Sequence, residues 1–282
     1  MEEVASRNAP RDASSIIVVR RSLSGLPEVF LVKRHKNSGF MGGQYVFPGG
    51  KCDVTDSSPE IIDRCLGREP DEVAQILGIT PVRAMAHFVA AIRETFEEAG
   101  VLLVQNDSGE LPTAAAVNEA RMSLSSRGFL STLVKYGWYL DLSALQYYAH
   151  WVTPEVEPRR FSARFFLAQV PPKQVASHDQ VETTDGRWRT ASDALGEYEQ
   201  REIGLPPPQL HSLTELSRVS SVDAVLGLAA NGPVRPHAPH FIGGDPPTLV
   251  LPSDPLHPEL PGVVLRRFCL EKGQWRMYFG EP

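Results

Sequence analysis

The chain has 282 residues, of which 42% are hydrophobic and 22% charged, with a formal net charge of −6. That is enough for one large domain, and the acidic balance argues against broad nucleic-acid or anionic-membrane binding, since both partners call for a basic surface. Cys52, Cys65 and Cys269 are too few and too widely spaced for a disulfide framework or a structural zinc site, and no apolar run approaches the roughly 18 residues of a membrane span. The polar opening lacks a signal-peptide core and the closing Gly280-Glu281-Pro282 is no peroxisomal address, so a cytoplasmic setting is expected, without nucleic acid or membrane as partner.

Residues 1–12 read as a loose tail and 13–282 as one domain. Residues 15–20 and 29–34 read as strands of a hairpin around the turn-rich Ser24-Gly25-Leu26-Pro27, followed by the basic run Lys33-Arg34-His35-Lys36. The loop 37–43 carries Phe40 and Met41 as apolar exceptions, placed to pack beneath it or to touch a ligand. A short strand over 44–47 ends at Pro48-Gly49-Gly50, where missing side chains let backbone approach a metal or a phosphate. Residues 59–66 and 70–77, the latter closed by Gly78, read as two short helices.

Thr80-Pro81 then supplies an N-cap and a first helical residue, and Gly100 the left-handed residue past the end, predicting a helix of about five turns. At about 100° per residue Glu94, Glu97 and Glu98 share one side, opposite Met85, Phe88, Val89, Ile92, Phe96 and Ala99. Glu94 and Glu98 are like charges four apart, a pairing that costs about 0.2–0.5 kcal/mol. All three glutamates lie near the helix C-terminus, where the dipole disfavours an exposed anion by about 0.3–1 kcal/mol. A hard divalent cation turns these penalties into ligation: three carboxylates within reach of one point suit Mg²⁺ or Mn²⁺, which keep waters for a phosphate to replace.

Further along, 101–104 reads as a buried strand, 113–126 and 129–136 as helices, and 147–152 and 163–170 as strands. Residues 178–187 form a polar stretch containing Asp179, Glu182 and Asp185. Residues 191–203 read as helix, Pro206-Pro207-Pro208 as a break, and 209–218 and 222–230 as two more helices. The segment 231–262 is dense in proline and glycine, and the spacing of its His237, His240 and His257 matches no zinc pattern. Residues 263–270 and 275–279 form a last hairpin, expected to close a sheet edge or a homodimer.

The stretch Arg93-Glu94-Thr95-Phe96-Glu97-Glu98-Ala99-Gly100-Val101 resembles the second half of the Nudix box, with Thr95 in place of the usual aliphatic. Pro48-Gly49-Gly50 supplies the glycines of the first half, and Asp56 stands six positions after Gly50 where the pattern has Glu. Residues 57–92 fill a gap that the pattern spans with seven, so the box is split by an insertion. A box split there resembles the branch containing the peroxisomal coenzyme A diphosphatases, a likeness that extends to Phe40-Met41 and Pro207-Pro208-Gln209.

That resemblance implies an α/β fold, the Nudix α/β/α sandwich with a mixed sheet, a helical insertion and additional helices. The insertion is expected to be an ordered lid or dimer element, since long structureless loops are uncommon in compact domains. The resemblance also implies metal ligation by Glu97, Glu98 and the Gly49 carbonyl, with Glu94 as a further ligand or the base, and with Arg93 orienting a glutamate. Asp56, one methylene short of Glu, is a weaker candidate ligand that Asp53 would replace. Glu182 is the candidate remote acid from a later loop, with Asp179 and Asp185 as rivals. Lys33, Arg34, Gly50 and Phe40 are expected to contact substrate.

The implied reaction is metal-dependent hydrolysis of a nucleoside diphosphate derivative. Coenzyme A or acyl-CoA leads, cleaved to 3′,5′-ADP and (acyl-)phosphopantetheine, ahead of ADP-ribose, NADH or a dinucleoside polyphosphate. A module that senses a nucleotide without cleaving it is the alternative of another class.

Overall fold

The run Ile16-Ile17-Val18-Val19 has no polar alternation, and the fold explains why: Ile16 and Val18 enter one core while Ile17 and Val19 enter a second, on the opposite face of the same strand. A computed structural model describes residues 9–179, 181–230 and 232–280. Within them that strand is β1 (Arg11–Arg21), so residues 11 and 12, expected in a loose tail, are paired backbone, and residues 1–8 of that tail lie outside the described residues.

Next come β2 (Pro27–Arg34), β3 (Tyr45–Val46) and β4 (Gly49–Lys51), then a 3₁₀ turn over Val54–Ser57, α1 (Pro59–Ile62), β5 (Cys65–Leu66), α2 (Pro70–Leu77) and α3 (Pro81–Ala99). They are followed by β6 (Val104–Gln105), α4 (Ala114–Arg127), α5 (Phe129–Tyr136), β7 (Tyr139–Asp141), β8 (Gln146–Val152), β9 (Phe161–Gln169) and β10 (Thr183–Thr190). The chain ends with α6 (Ala191–Glu199), α7 (Pro207–Leu216), α8 (Val222–Leu226), β11 (His240–Gly243), β12 (Thr248–Val250), β13 (Leu265–Glu271) and β14 (Gln274–Gly280).

The main sheet is mixed, in the order β10-β2-β1-β9-β8, with β3 added to β2 and β4 to β1. Strand β1 runs parallel to β9 and antiparallel to β2 and β4. Helix α3 covers one face, its Phe88, Val89, Ile92 and Phe96 fully buried, and Gly100 ends it at φ +68° with its N–H on the Phe96 carbonyl. Helices α6, α7 and α8 cover the other face, giving the expected sandwich.

Three departures have physical reasons. The 57–92 insertion is ordered, with Ile61, Val73 and Leu77 buried in the same core as Phe88. Its first helix stops at Ile62, and Cys65–Leu66 pairs with β7. Residues 183–190, which overlap the polar stretch 178–187 in which no strand was expected, form β10, an edge strand with β2 as its neighbour in the sheet, where polar residues are tolerated. The last hairpin joins β11 and β12, drawn from the proline-rich segment, in a separate four-stranded sheet that packs Leu249, Leu251 and Phe268 into the second core.

Of the three histidines in that segment, His237 stacks on Trp151 with ring centroids 4.5 Å apart, and His257 Nδ1 accepts from the Leu260 N–H. Among the described residues no single helix is long and apolar enough to cross a membrane.

Candidate active site

Helix α3 delivers Arg93, Glu94, Glu97 and Glu98 to the edge of the β4 turn, and Arg93 organises them. Its side chain is almost wholly buried and all five guanidinium N–H groups find acceptors. Nε and Nη2 hold the two Asp56 oxygens at 2.8 and 2.9 Å, Nη2 also reaches the Lys51 carbonyl, and Nη1 is shared by Glu94 and Glu97 at 2.8 and 3.2 Å. Asp56 is therefore corrected from candidate ligand to anchor. Buried at 2% exposure, it gives Oδ1 to Arg93 and Oδ2 to both Arg93 and the Asp53 N–H. Asp53, its suggested replacement, is largely exposed 3.7 Å from Arg93.

Glu98 is buried, contrary to its place on an acidic helix face, because the glycine turn folds over it and the Gly49 N–H donates to Oε2 at 2.9 Å. Only glycine fits this turn. Gly49 has φ +153°, and a Cβ there would lie 2.3 Å from the Ser14 carbonyl oxygen; a Cβ on Gly50 would lie 2.4 Å from the Glu94 carboxylate. Arg34 of β2 brings Nη1 to 3.8 Å from Glu98 Oε1, while its Nε is buried without a partner among the described residues.

Burial pushes Glu98 up to about 8, against the pull of the Gly49 N–H and Arg34, and Glu94 up to about 7, against Arg93. Glu97 is raised too, by burial first. Glu182, exposed on the loop before β10, adds its charge to the upward push on all three. Its rivals are engaged elsewhere: Asp179 accepts from the Val181, Glu182 and Thr183 N–H groups, and Asp185 is bound to Tyr45 and Arg187.

The carboxylates are crowded without a counter-charge for each. Among the described residues no three acidic, histidine or cysteine side chains already converge on one point, because Arg93 and the Gly49 N–H draw one oxygen of each glutamate aside. Among the described residues Glu94 Oε2, Glu97 Oε1 and Glu98 Oε1 carry no hydrogen bond, and Glu98 Oε1 has only the Arg34 guanidinium, 3.8 Å away. Hard oxygen donors with raised proton affinity and free lone pairs fit a divalent cation such as Mg²⁺ or Mn²⁺.

These groups line a cleft of about 1200 Å³ that is also lined by Phe40, Phe161, Trp151 and Gln209 and, from the C-terminal sheet, by Gln274 and Trp275. Phe40 stands edge-on to Phe161 at 5.0 Å. Lys33 is corrected: it lies outside the cleft wall, with its ammonium over the Tyr45 ring, because neighbouring residues of a strand point to opposite faces. Sequence reasoning missed Trp151, Gln274 and Trp275, which meet here from segments far apart in the chain; for Gln209 the Pro-Pro-Gln likeness was the one available signal.

Comparison with known proteins agrees with this geometry. The family model described as the NUDT19 Nudix domain matches residues 74–218. Proteins named acyl-coenzyme A diphosphatase NUDT19 are similar along most of the chain. The Gallus gallus protein is 30% identical, covering 89% of this chain and 80% of its own. The Homo sapiens protein is 28% identical, covering 82% and 72%. The crystal structure of a NUDIX hydrolase from Alicyclobacillus acidocaldarius is 26% identical, with a TM-score of 0.62, and covers 80% of this chain and 99% of its own. With the split box closed in space by Arg93, and with this extent of similarity, the chain belongs to the Nudix hydrolase family, in its NUDT19 branch, and is a Nudix pyrophosphohydrolase.

Proposed function

We propose that the enzyme hydrolyses the diphosphate of coenzyme A or an acyl derivative to 3′,5′-ADP and (acyl-)phosphopantetheine, with Mg²⁺ or Mn²⁺ held by Glu94, Glu97, Glu98 and the Gly49 carbonyl. The observation that carries this reading is the placement of four carboxylates, with Glu182 as the fourth, in the wall of one large cleft. At about 1200 Å³ the cleft exceeds the roughly 300–1,000 Å³ of ordinary ligand pockets, which suits a substrate with a diphosphate in its middle and a long arm beyond it. The names of the most similar relatives favour coenzyme A over other diphosphates.

Bound divalent ions supply charge neutralisation of the diphosphate and lower the pKa of water at neutral pH. The chain's own residues supply the positioning. Arg93 fixes Glu94 and Glu97, the Gly49 N–H fixes Glu98, and Arg34, beside Glu98, offers its guanidinium to a phosphate oxygen. Glu94, against Gly50, is a ligand or the acceptor of the water proton. The water oxygen joins one phosphorus, the bridging P–O bond breaks, and the departing phosphate keeps the bridging oxygen.

Turnover of CoA, acetyl-CoA, ADP-ribose, NADH and a dinucleoside tetraphosphate with Mg²⁺ and with Mn²⁺ tests this reading. CoA compounds are expected to give the highest kcat/KM. Good turnover of ADP-ribose with CoA left intact would reject the substrate assignment, and binding of the whole panel without hydrolysis would favour a sensing module.

A further inference from the structure

Arg34, Lys51, Arg93, Arg159 and Arg201 are the basic residues that line the cleft, and three of them are committed. Arg93 is saturated by Asp56, Glu94, Glu97 and the Lys51 carbonyl, Arg34 faces Glu98, and Arg201 Nη1 donates to the Lys272 carbonyl at 3.0 Å. The side chains of Lys51 and Arg159 are exposed and make no hydrogen bond or ion pair among the described residues. A guanidinium keeps its charge throughout the working pH range, so an unpaired one in a cleft wall is a standing receptor for an anion.

These two free cations stand apart. Lys51 of β4 is level with Ala13 of β1, and Ala13 with Ala163 of β9. Two strand spacings therefore separate Lys51 from Ala163, about 10 Å, and Phe161 lies two residues, about 7 Å, farther along β9. Phe161, Ala163 and Phe165 are alternate residues of that strand, and all three line the cleft.

Arg159 belongs to the Phe161 side. Its guanidinium lies against Gly39, where a Cβ would fall 2.0 Å from Arg159 Nη1, and the next residue, Phe40, stands edge-on to Phe161. The 37–43 loop and the segment before β9 thus meet, and they carry a guanidinium beside an aromatic pair. The nearby Glu155 carboxylate pairs with Arg160 and leaves Arg159 to solvent.

Resting on the coenzyme A reading above, we infer that Arg159 binds the 3′-phosphate on the ribose of the substrate and so determines its specificity. The glutamates and the adjoining Lys51 serve the diphosphate; the 3′-phosphate is the second anionic group, on the nucleoside side, where the aromatic pair suits a purine. The guanidinium fork donates parallel N–H bonds to two phosphate oxygens. ADP-ribose, NADH and dinucleoside polyphosphates lack that phosphate, so this one contact separates coenzyme A from them.

The test is calorimetric titration of the whole chain, with Mg²⁺ present, by 3′,5′-ADP and by 5′-AMP, which differ only in the 3′-phosphate. The wild type is expected to bind 3′,5′-ADP about tenfold more tightly, the scale of one charge-assisted contact. Arg159→Gln is expected to weaken 3′,5′-ADP by about that factor and 5′-AMP by less than about twofold, with no fall in thermal midpoint, because the side chain has no protein partner to lose. Equal affinity of the wild type for the two nucleotides, a preference that survives Arg159→Gln, or a preference lost in Lys51→Gln instead would overturn the assignment. A wild type that shows the Arg159-dependent preference and leaves CoA uncleaved would reject the reaction and keep the subsite; cleavage of CoA with the preference intact in Arg159→Gln would keep the reaction and reject the subsite.

Discussion

Arg93 grips Asp56 through Nε and Nη2 at 2.8 and 2.9 Å, across 37 positions of sequence, and so closes in space a motif that the insertion divides. The pair is buried, and removing one member leaves the other charge without its main partner. Asp56→Ala is therefore expected to destabilise the metal-free protein by about 3 kcal/mol, read from urea unfolding. A loss under about 1 kcal/mol would show that Glu94, Glu97 and the Lys51 carbonyl are enough to hold Arg93.

Glu97 is the most exposed of the three helix glutamates, with one oxygen on Arg93 and the other without a hydrogen bond. Glu97→Gln keeps the shape and removes the charge. It should lower kcat by roughly 10²-fold or more, the scale of one lost electrostatic group at a reacting centre, with unchanged circular dichroism. Unchanged turnover would remove Glu97 from the site.

The raised carboxyls make a pH prediction with a definite sign. Folded, metal-free protein holds protons on Glu98 up to about 8 and on Glu94 up to about 7, whereas the unfolded chain releases them near the ordinary value of 4.5. The folded state binds more protons in that window, so stability is greatest below it and falls as pH rises from about 5 to about 8. Cations compete with those protons, so the gain in thermal midpoint from millimolar Mn²⁺ should be larger at about pH 8.5 than at about pH 6. Equal gains at the two pH values would contradict the assignment of these carboxyls as ligands.

Thr95 fills the slot where the Nudix pattern has an aliphatic; it is fully buried and its hydroxyl has no partner among the described residues. Thr95→Val keeps the shape and removes that hydroxyl. It should stabilise the protein by about 1 kcal/mol, a rise of about 2–4 °C in Tm, without altering turnover. A lower Tm would mean that the hydroxyl has a partner.

Helix α3 and its glutamates were legible because Thr80-Pro81, Gly100 and a continuous apolar stripe all agree locally, and the sandwich followed from the box. The burial of Glu98 was not legible, since it depends on a turn 49 positions earlier folding over the helix end. Strand β10 was hidden because an edge position tolerates Thr-Thr-Asp-Gly-Arg, and β12 because three residues between prolines carry no periodicity. Much of the cleft wall was invisible for a related reason: Trp151, Gln209 and Gln274 share a cavity with the glutamates, which no local pattern records.

The most direct measurement is anomalous scattering from crystals of the whole chain soaked in Mn²⁺ and 3′,5′-ADP. The account predicts manganese within ligand distance, about 2.0–2.3 Å, of oxygens from Glu94, Glu97 and Glu98 and of the Gly49 carbonyl, with a product phosphate beside it. Manganese bound elsewhere, with the three glutamates still turned to Arg93 and the Gly49 N–H, would contradict it.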